Sequence, residues 1–175
     1  MLQALMTTPR SAVRVTAALL AAATQAGCAG SGAVVALDDA GTAVCSPADD
    51  EGRAVFGIST IQNVSGSDVE VSDAGLVGAA GMELIGLELR AMDDTDAHIV
   101  GGDYDRFGPS AIALPQSIAR AESSVTLIGV RVDPGASGSA DGISLSFRGS
   151  DGSGEVETLI AMHVVPADQV CEMAP

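Results

Sequence analysis

Gly142-Ile143-Ser144-Leu145-Ser146-Phe147-Arg148 alternates large apolar residues with short polar ones. Side chains leave a strand on alternate faces, so Ile143, Leu145 and Phe147 share one side and Ser144, Ser146 and Arg148 the other. That is a strand with one face in a core and one in water. Ser150-Asp151-Gly152-Ser153-Gly154 follows, and Asp-Gly suits the positive φ values of a tight hairpin turn. Val156, Ile160, Met162 and Val164 then fall on one face of the strand expected to return along the first.

The same pattern of short alternating runs broken by Gly, Ser, Asp and Pro extends back along the chain. Ala54–Asn63 reads as a strand, Ser65-Gly66-Ser67-Asp68 as a turn, and Val69–Val71 as the next strand. Met82–Arg90 is another, with Ile85, Leu87 and Leu89 expected inward and Glu88 and Arg90 outward. Ser124–Val132 runs to the stop at Asp133-Pro134-Gly135. Val34–Leu37 and Val44–Cys45 are expected to pair at an edge, and Gln116–Glu122 to form a helical turn. No segment holds a sustained helical period. The expectation is an all-β domain, a two-sheet sandwich of about seven strands.

Upstream, Arg10 and Arg14 precede an uncharged run from Val15 to Ala26, densest at residues 17–23. A basic region, a short apolar core and a small-residue exit are the parts of a secretory signal. The run is too short for a permanent membrane helix, which needs roughly 20 apolar residues. Met6 is an alternative start, and the separated arginines point to general secretion.

Gln25-Ala26-Gly27-Cys28 resembles the bacterial lipobox, at which a diacylglyceryl group is attached to the cysteine sulfur before cleavage ahead of it. Ala26, Gly27 and Cys28 fit. Gln25 departs from the usual aliphatic residue, which leaves ordinary cleavage after Ala26 or Ala29 as the alternative, and a plain buried thiol as another. The resemblance implies a signal peptide over residues 1–27, lipid on Cys28, a tether over 28–43 with a possible edge strand, and the domain proper over 44–175. Two acyl chains hold a protein durably to a membrane.

The chain has three cysteines, an awkward number in an oxidising compartment. With Cys28 set aside, Cys45 and Cys171 remain, and their bond would clasp the two ends of the domain. Closing a loop on the order of 100 residues is assigned about 5 kcal/mol by the chain-entropy model. Two free buried thiols are the alternative.

"ISTIQNVSGSDVEV", Ile58 to Val71, is similar to the strand–turn–strand of bacterial immunoglobulin-like envelope domains. "DGISLSFRGSDGSGEVETLIAMHVV", Asp141 to Val165, resembles the closing hairpin of small actinobacterial lipoproteins that carry such a domain. The resemblance spans most of residues 53–171 and implies an immunoglobulin-like fold and an extracytoplasmic address, with no reaction. Abundant arginine with no lysine agrees with a GC-rich genome.

Beyond residue 27 stand six arginines against all 23 acidic residues, a formal charge of −17. Such a surface repels nucleic acid and anionic headgroups. With no Trp, one Tyr and three Phe, the chain is poorly equipped to stack on sugars or bases. The absence of lysine removes phosphate-loop and Schiff-base chemistry, and no G-x-S-x-G, H-E-x-x-H or C-x-x-C occurs. His98 and His163 are both expected to be ordinary strand residues, His163 pointing away from the face of Met162 and Val164. No catalysis and no cofactor are expected.

Three weaker readings remain. Asp93, Asp94 and Asp96, with Asp103 and Asp105, offer oxygens to calcium but lack the ordered spacing of an EF-hand, and a solvated loop is the simpler reading. Secreted copper chaperones with a cupredoxin-like sandwich show a similar strand order, but their ligand spacing needs methionines where Pro109 and Val165 stand. Gly101–Pro109 carries Tyr104, Arg106 and Phe107 on a glycine-rich loop. Such aromatics suit recognition of an envelope partner, while packing of the loop onto the sandwich is the competing expectation. Asn63-Val64-Ser65 has the form of a glycosylation sequon.

Overall fold

The computed structural model describes residues 34–37, 43–92 and 104–171. Within them are eleven strands, β1 (Val34–Leu37), β2 (Ala43–Pro47), β3 (Arg53–Asn63), β4 (Val69–Val77), β5 (Glu83–Ala91), β6 (Gln116–Ile118), β7 (Ser123–Arg131), β8 (Gly138–Ala140), β9 (Gly142–Gly149), β10 (Gly152–Glu157) and β11 (Ala161–Val165), and one helical turn, α1 (Tyr104–Phe107).

One sheet has the order β1-β3-β7-β5, with every neighbour antiparallel. The others have the orders β10-β9-β4-β6 and β2-β11-β8. These last two are halves of one bent layer. β8 runs into β9 across Asp141 alone, and β10 reaches β11 across Thr158–Ile160. β9 pairs with β10, and β8 with β11. The bend is local and has a cause. Ile143 and Thr158 exchange backbone and side-chain hydrogen bonds at the corner, and a side chain on Gly142 would run into the Thr158 carbonyl.

The expected hairpin therefore forms, but its returning strand is cut in two. Dividing long strands in this way, together with the short β6, raises the strand count from about seven to eleven. Val156, Ile160, Met162 and Val164 still turn toward one core, as their alternation requires.

Both layers feed that core. Ala54, Phe56, Leu87, Ile128 and Val130 come from the first sheet, and Val71, Ile118, Ile143, Leu145, Phe147, Met162 and Val164 from the bent layer. Most are fully buried, each side chain larger than alanine contributing roughly 1.5–3 kcal/mol through removal from water. The architecture is an all-β sandwich of two layers packed about one core.

Several local expectations are corrected. β1 and β2 do not pair with one another. β1 lies along β3, and β2 joins β11 as the single parallel pair among the named strands. Gln116–Ile118 is a strand against β4, so the expected helical turn at 116–122 is absent. Ile85 lies at a register shift between Leu84 and Gly86. The extra residue reverses the phase of the strand, so Leu84 and Leu87 reach the core and Ile85 does not.

The sandwich covers the β5 edge with its own chain. The Gln116 amide accepts from the Leu89 N–H at 2.8 Å and donates to the Leu87 carbonyl at 3.2 Å. Ala111 and Ala113 add backbone bonds to Leu87. One side chain and one loop thus occupy the free rim of β5, which would otherwise invite pairing with another chain.

Candidate functional site

Tyr104 opens α1, and its fate is set by two glycines. Gly86 on β5 stands opposite Gly129 on β7. Side chains there would strike Tyr104, with an ideal Cβ on Gly129 falling 2.5 Å from the Tyr104 oxygen and one on Gly86 falling 2.7 Å from Pro109. The ring fills this notch on the outer face of the first sheet and is 8% exposed. Its hydroxyl donates to the Pro109 carbonyl at 2.9 Å.

Arg53 at the start of β3 covers the ring, its guanidinium carbon 4.9 Å from the centroid, a cation–π distance. Arg53 also bonds Asp49 at 2.8 Å, Glu51 at 3.3 Å and Asp105 at 2.9 Å. Desolvation lowers the Arg53 pKa, but the Asp49 hydrogen bond and the charges of Asp49, Asp105 and Glu51 outweigh it and raise the value. Burial raises the Tyr104 pKa above the ordinary phenol value, opposed by the positive charge of Arg53.

The candidate recognition loop thus divides. Tyr104 packs onto the sandwich, the competing expectation of the two. Arg106 is exposed and holds contacts within the chain, and Phe107 ends α1. Of the acidic residues weighed for calcium, Asp105 is bonded to Arg53, while Asp93, Asp94, Asp96 and Asp103 lie outside the described residues, as does His98. Among the described residues no group of three His, Cys, Asp or Glu side chains is placed to hold a metal ion.

Cys45 and Cys171 form a disulfide, with Cα atoms 5.7 Å apart and a separation of 126 in sequence. Val44 and Ser46 point into the core while Cys45 is half-exposed, so the bond lies on the outer face of β2. His163 stands beside Cys45 in the parallel β11–β2 ladder and opposite Ser139 of β8. Aligned residues on neighbouring strands share a face, which makes a row of Cys45, His163 and Ser139. His163 is exposed, in line with its alternation. A shallow concavity of about 360 Å³ opens beside it, lined by Ala80, Ser137, Gly138, Ser139, His163, Val164 and Val165.

Asn63 does not behave as a sequon residue. It is fully buried. Its amide donates to the carbonyls of Ser67 and Ile118, both at 2.9 Å, and its oxygen accepts from the Ser65 N–H and hydroxyl. The "NVSGS" turn is held from within by this one side chain.

Arg53, Gln116 and the Gly86–Gly129 pair were not singled out by the sequence. The only advance signal was glycine inside strands otherwise rich in apolar residues, which marks a close approach of other groups. Cys28 and the whole segment 1–33 lie outside the described residues. No helix among the described residues is long and apolar enough to cross a membrane.

No protein-family model matches the chain, and no curated protein sequence does. Among solved structures the chain is similar to an ASH / PapD-like domain of human CEP192 (PapD-like domain 7), at 8% identity and a TM-score of 0.40, over 79% of this chain and 89% of that one.

Proposed function

We propose that this chain is a lipid-anchored, extracytoplasmic, non-catalytic module that serves the cell envelope by binding or by structural support. The reading is supported above all by the Cys45–Cys171 bond. Disulfides persist in oxidising compartments, and this one takes two of the three cysteines. Cys28 is then the remaining sulfur, at the end of a signal-like run and in a lipobox-like context. Lipid on Cys28 tethers the sandwich to the outer face of the membrane, and the acidic surface keeps the tethered domain soluble beside anionic headgroups.

The sandwich suits such a role mechanically. The free rim of β5 is occupied, the core is continuous, and Tyr104 is pinned to the sandwich by Arg53 and Pro109. The partner is an envelope protein, with no nucleic acid and no cofactor involved.

The test is expression of the full chain in a bacterial host with a labelled fatty acid, followed by detergent-phase partition and intact mass. Wild-type protein is expected to begin at a diacylated Cys28, enter the detergent phase and move to the aqueous phase when Cys28 becomes Ser. An unprocessed cytoplasmic chain with three titratable thiols sinks the proposal.

A further inference from the structure

We propose that the Cys45–Cys171 disulfide is an exchange site for an external dithiol, and that opening it frees the segment from Ala167 to Cys171, beyond the buried Pro166, while the sandwich stays folded. Three observations carry this. The bond lies outside the core, between an outward-facing residue of β2 and a segment without strand pairing. Residues 167–170 are exposed, Val170 at 84%, and the backbone bond found within the segment joins only Gln169 to Pro166. β2 has its own attachment, because its five residues pair with β11 and Ala48 donates to the Val165 carbonyl at 2.8 Å. Removing the sulfur bridge therefore takes no strand out of the sheet.

The surroundings also suit attack. Cys45 is half-exposed and shares its face with the exposed His163. A thiolate of the dithiol attacks the Cys171 sulfur, the S–S bond breaks, and its electron pair leaves on the Cys45 sulfur. That sulfur takes a proton from the neighbouring imidazole, which recovers through water the proton that the attacking thiol released. The second thiol of the reagent then attacks its own mixed disulfide and releases Cys171 as a thiol. The dithiol ends as a disulfide and the protein gains two thiols, so two electrons and two protons have moved. A leaving thiolate that is better stabilised departs faster, which is the part assigned to His163.

The experiment uses the full-length chain, dithiothreitol as the dithiol and no denaturant. Alkylation is read on the peptides that carry Cys45 and Cys171, so the state of Cys28 does not enter and the outcome is independent of lipidation. Both cysteines are expected to label, with faster amide exchange confined to the stretch beyond Val165. His163→Ala, an exposed substitution, is expected to slow opening on the order of threefold at fixed pH. Labelling that begins only once denaturant unfolds β3 and β7, or protection lost across those strands on reduction, overturns the proposal. An unchanged opening rate in His163→Ala overturns the role given to that residue.

Discussion

Gly86 and Gly129 face each other across the β5–β7 ladder, and the Tyr104 ring occupies the space that their absent side chains leave. The relationship turns a glycine pair inside a sheet, ordinarily a weakness, into a socket. Gly129→Ala is expected to cost about 1–3 kcal/mol, because its new carbon must displace a ring held by Pro109 and Arg53. Gly86→Ala should cost as much, since the Pro109 backbone blocks it. Tyr104→Phe loses only the hydroxyl bond, about 1 kcal/mol. Urea unfolding with unchanged slope checks all three. A neutral Gly129→Ala would mean the ring is not seated there.

The same socket sets a pH response. Burial raises the Tyr104 pKa above its ordinary value, so ionisation of the folded protein is resisted. The sign follows from proton linkage. The neutral phenol's contribution is intact below about pH 10, the unfolded value, and is lost as pH climbs through the higher folded value. Tyr104 is the single tyrosine, so phenolate absorbance reports it without ambiguity. The native protein should titrate at higher pH than the denatured chain. Arg53→Ala should move the native curve higher still, because the positive charge of Arg53 opposes the rise.

Asn63 offers a different kind of test. Truncation to Ala leaves the Ile118 carbonyl and the Ser65 N–H without their partner in a buried place. Each unsatisfied group costs about 1–3 kcal/mol, so a loss of at least about 2 kcal/mol is expected by chemical denaturation. Asn63→Asp keeps the acceptor but loses both amide donors, and should recover only part of it. Coexpression with a glycosylating enzyme should leave the folded protein unmodified.

How far the fold was legible depends on how local its causes are. Alternation at Ile143, Leu145 and Phe147 announced the core strand, and those three residues are buried in it. The cysteine count announced the Cys45–Cys171 bond. The parallel join of β2 to β11 left no local mark, since it depends on segments more than a hundred positions apart. Gln116 gave no sign that its amide would stand in for a strand, and Tyr104 read equally as a contact residue or a packing residue until its two glycines were brought together. The bulge at Ile85 changed phase inside a run that alternated convincingly on paper.

That bulge has a measurable consequence. Leu87 is fully buried in the core while Ile85 lies outside the core cluster. Leu87→Ala should cost about 2–5 kcal/mol through lost burial and a residual cavity. Ile85→Ala should cost at least about 1 kcal/mol less. Equal losses would return Ile85 to the inward face and remove the register shift.

The last prediction concerns the size of the disulfide's contribution. Chain entropy assigns a closure of this length about 5 kcal/mol, by restricting the unfolded ensemble alone. Here the native state also gains freedom when the bridge is absent, because the segment beyond Val165 has no strand to hold it. Freedom gained by the folded protein offsets part of the freedom gained by the unfolded one. Replacing both Cys45 and Cys171 by Ala should therefore cost about 2–4 kcal/mol, with the circular dichroism of the sheets unchanged. A loss at or above the full entropic value, accompanied by an altered sheet signal, would show that the terminal segment supports the sandwich directly.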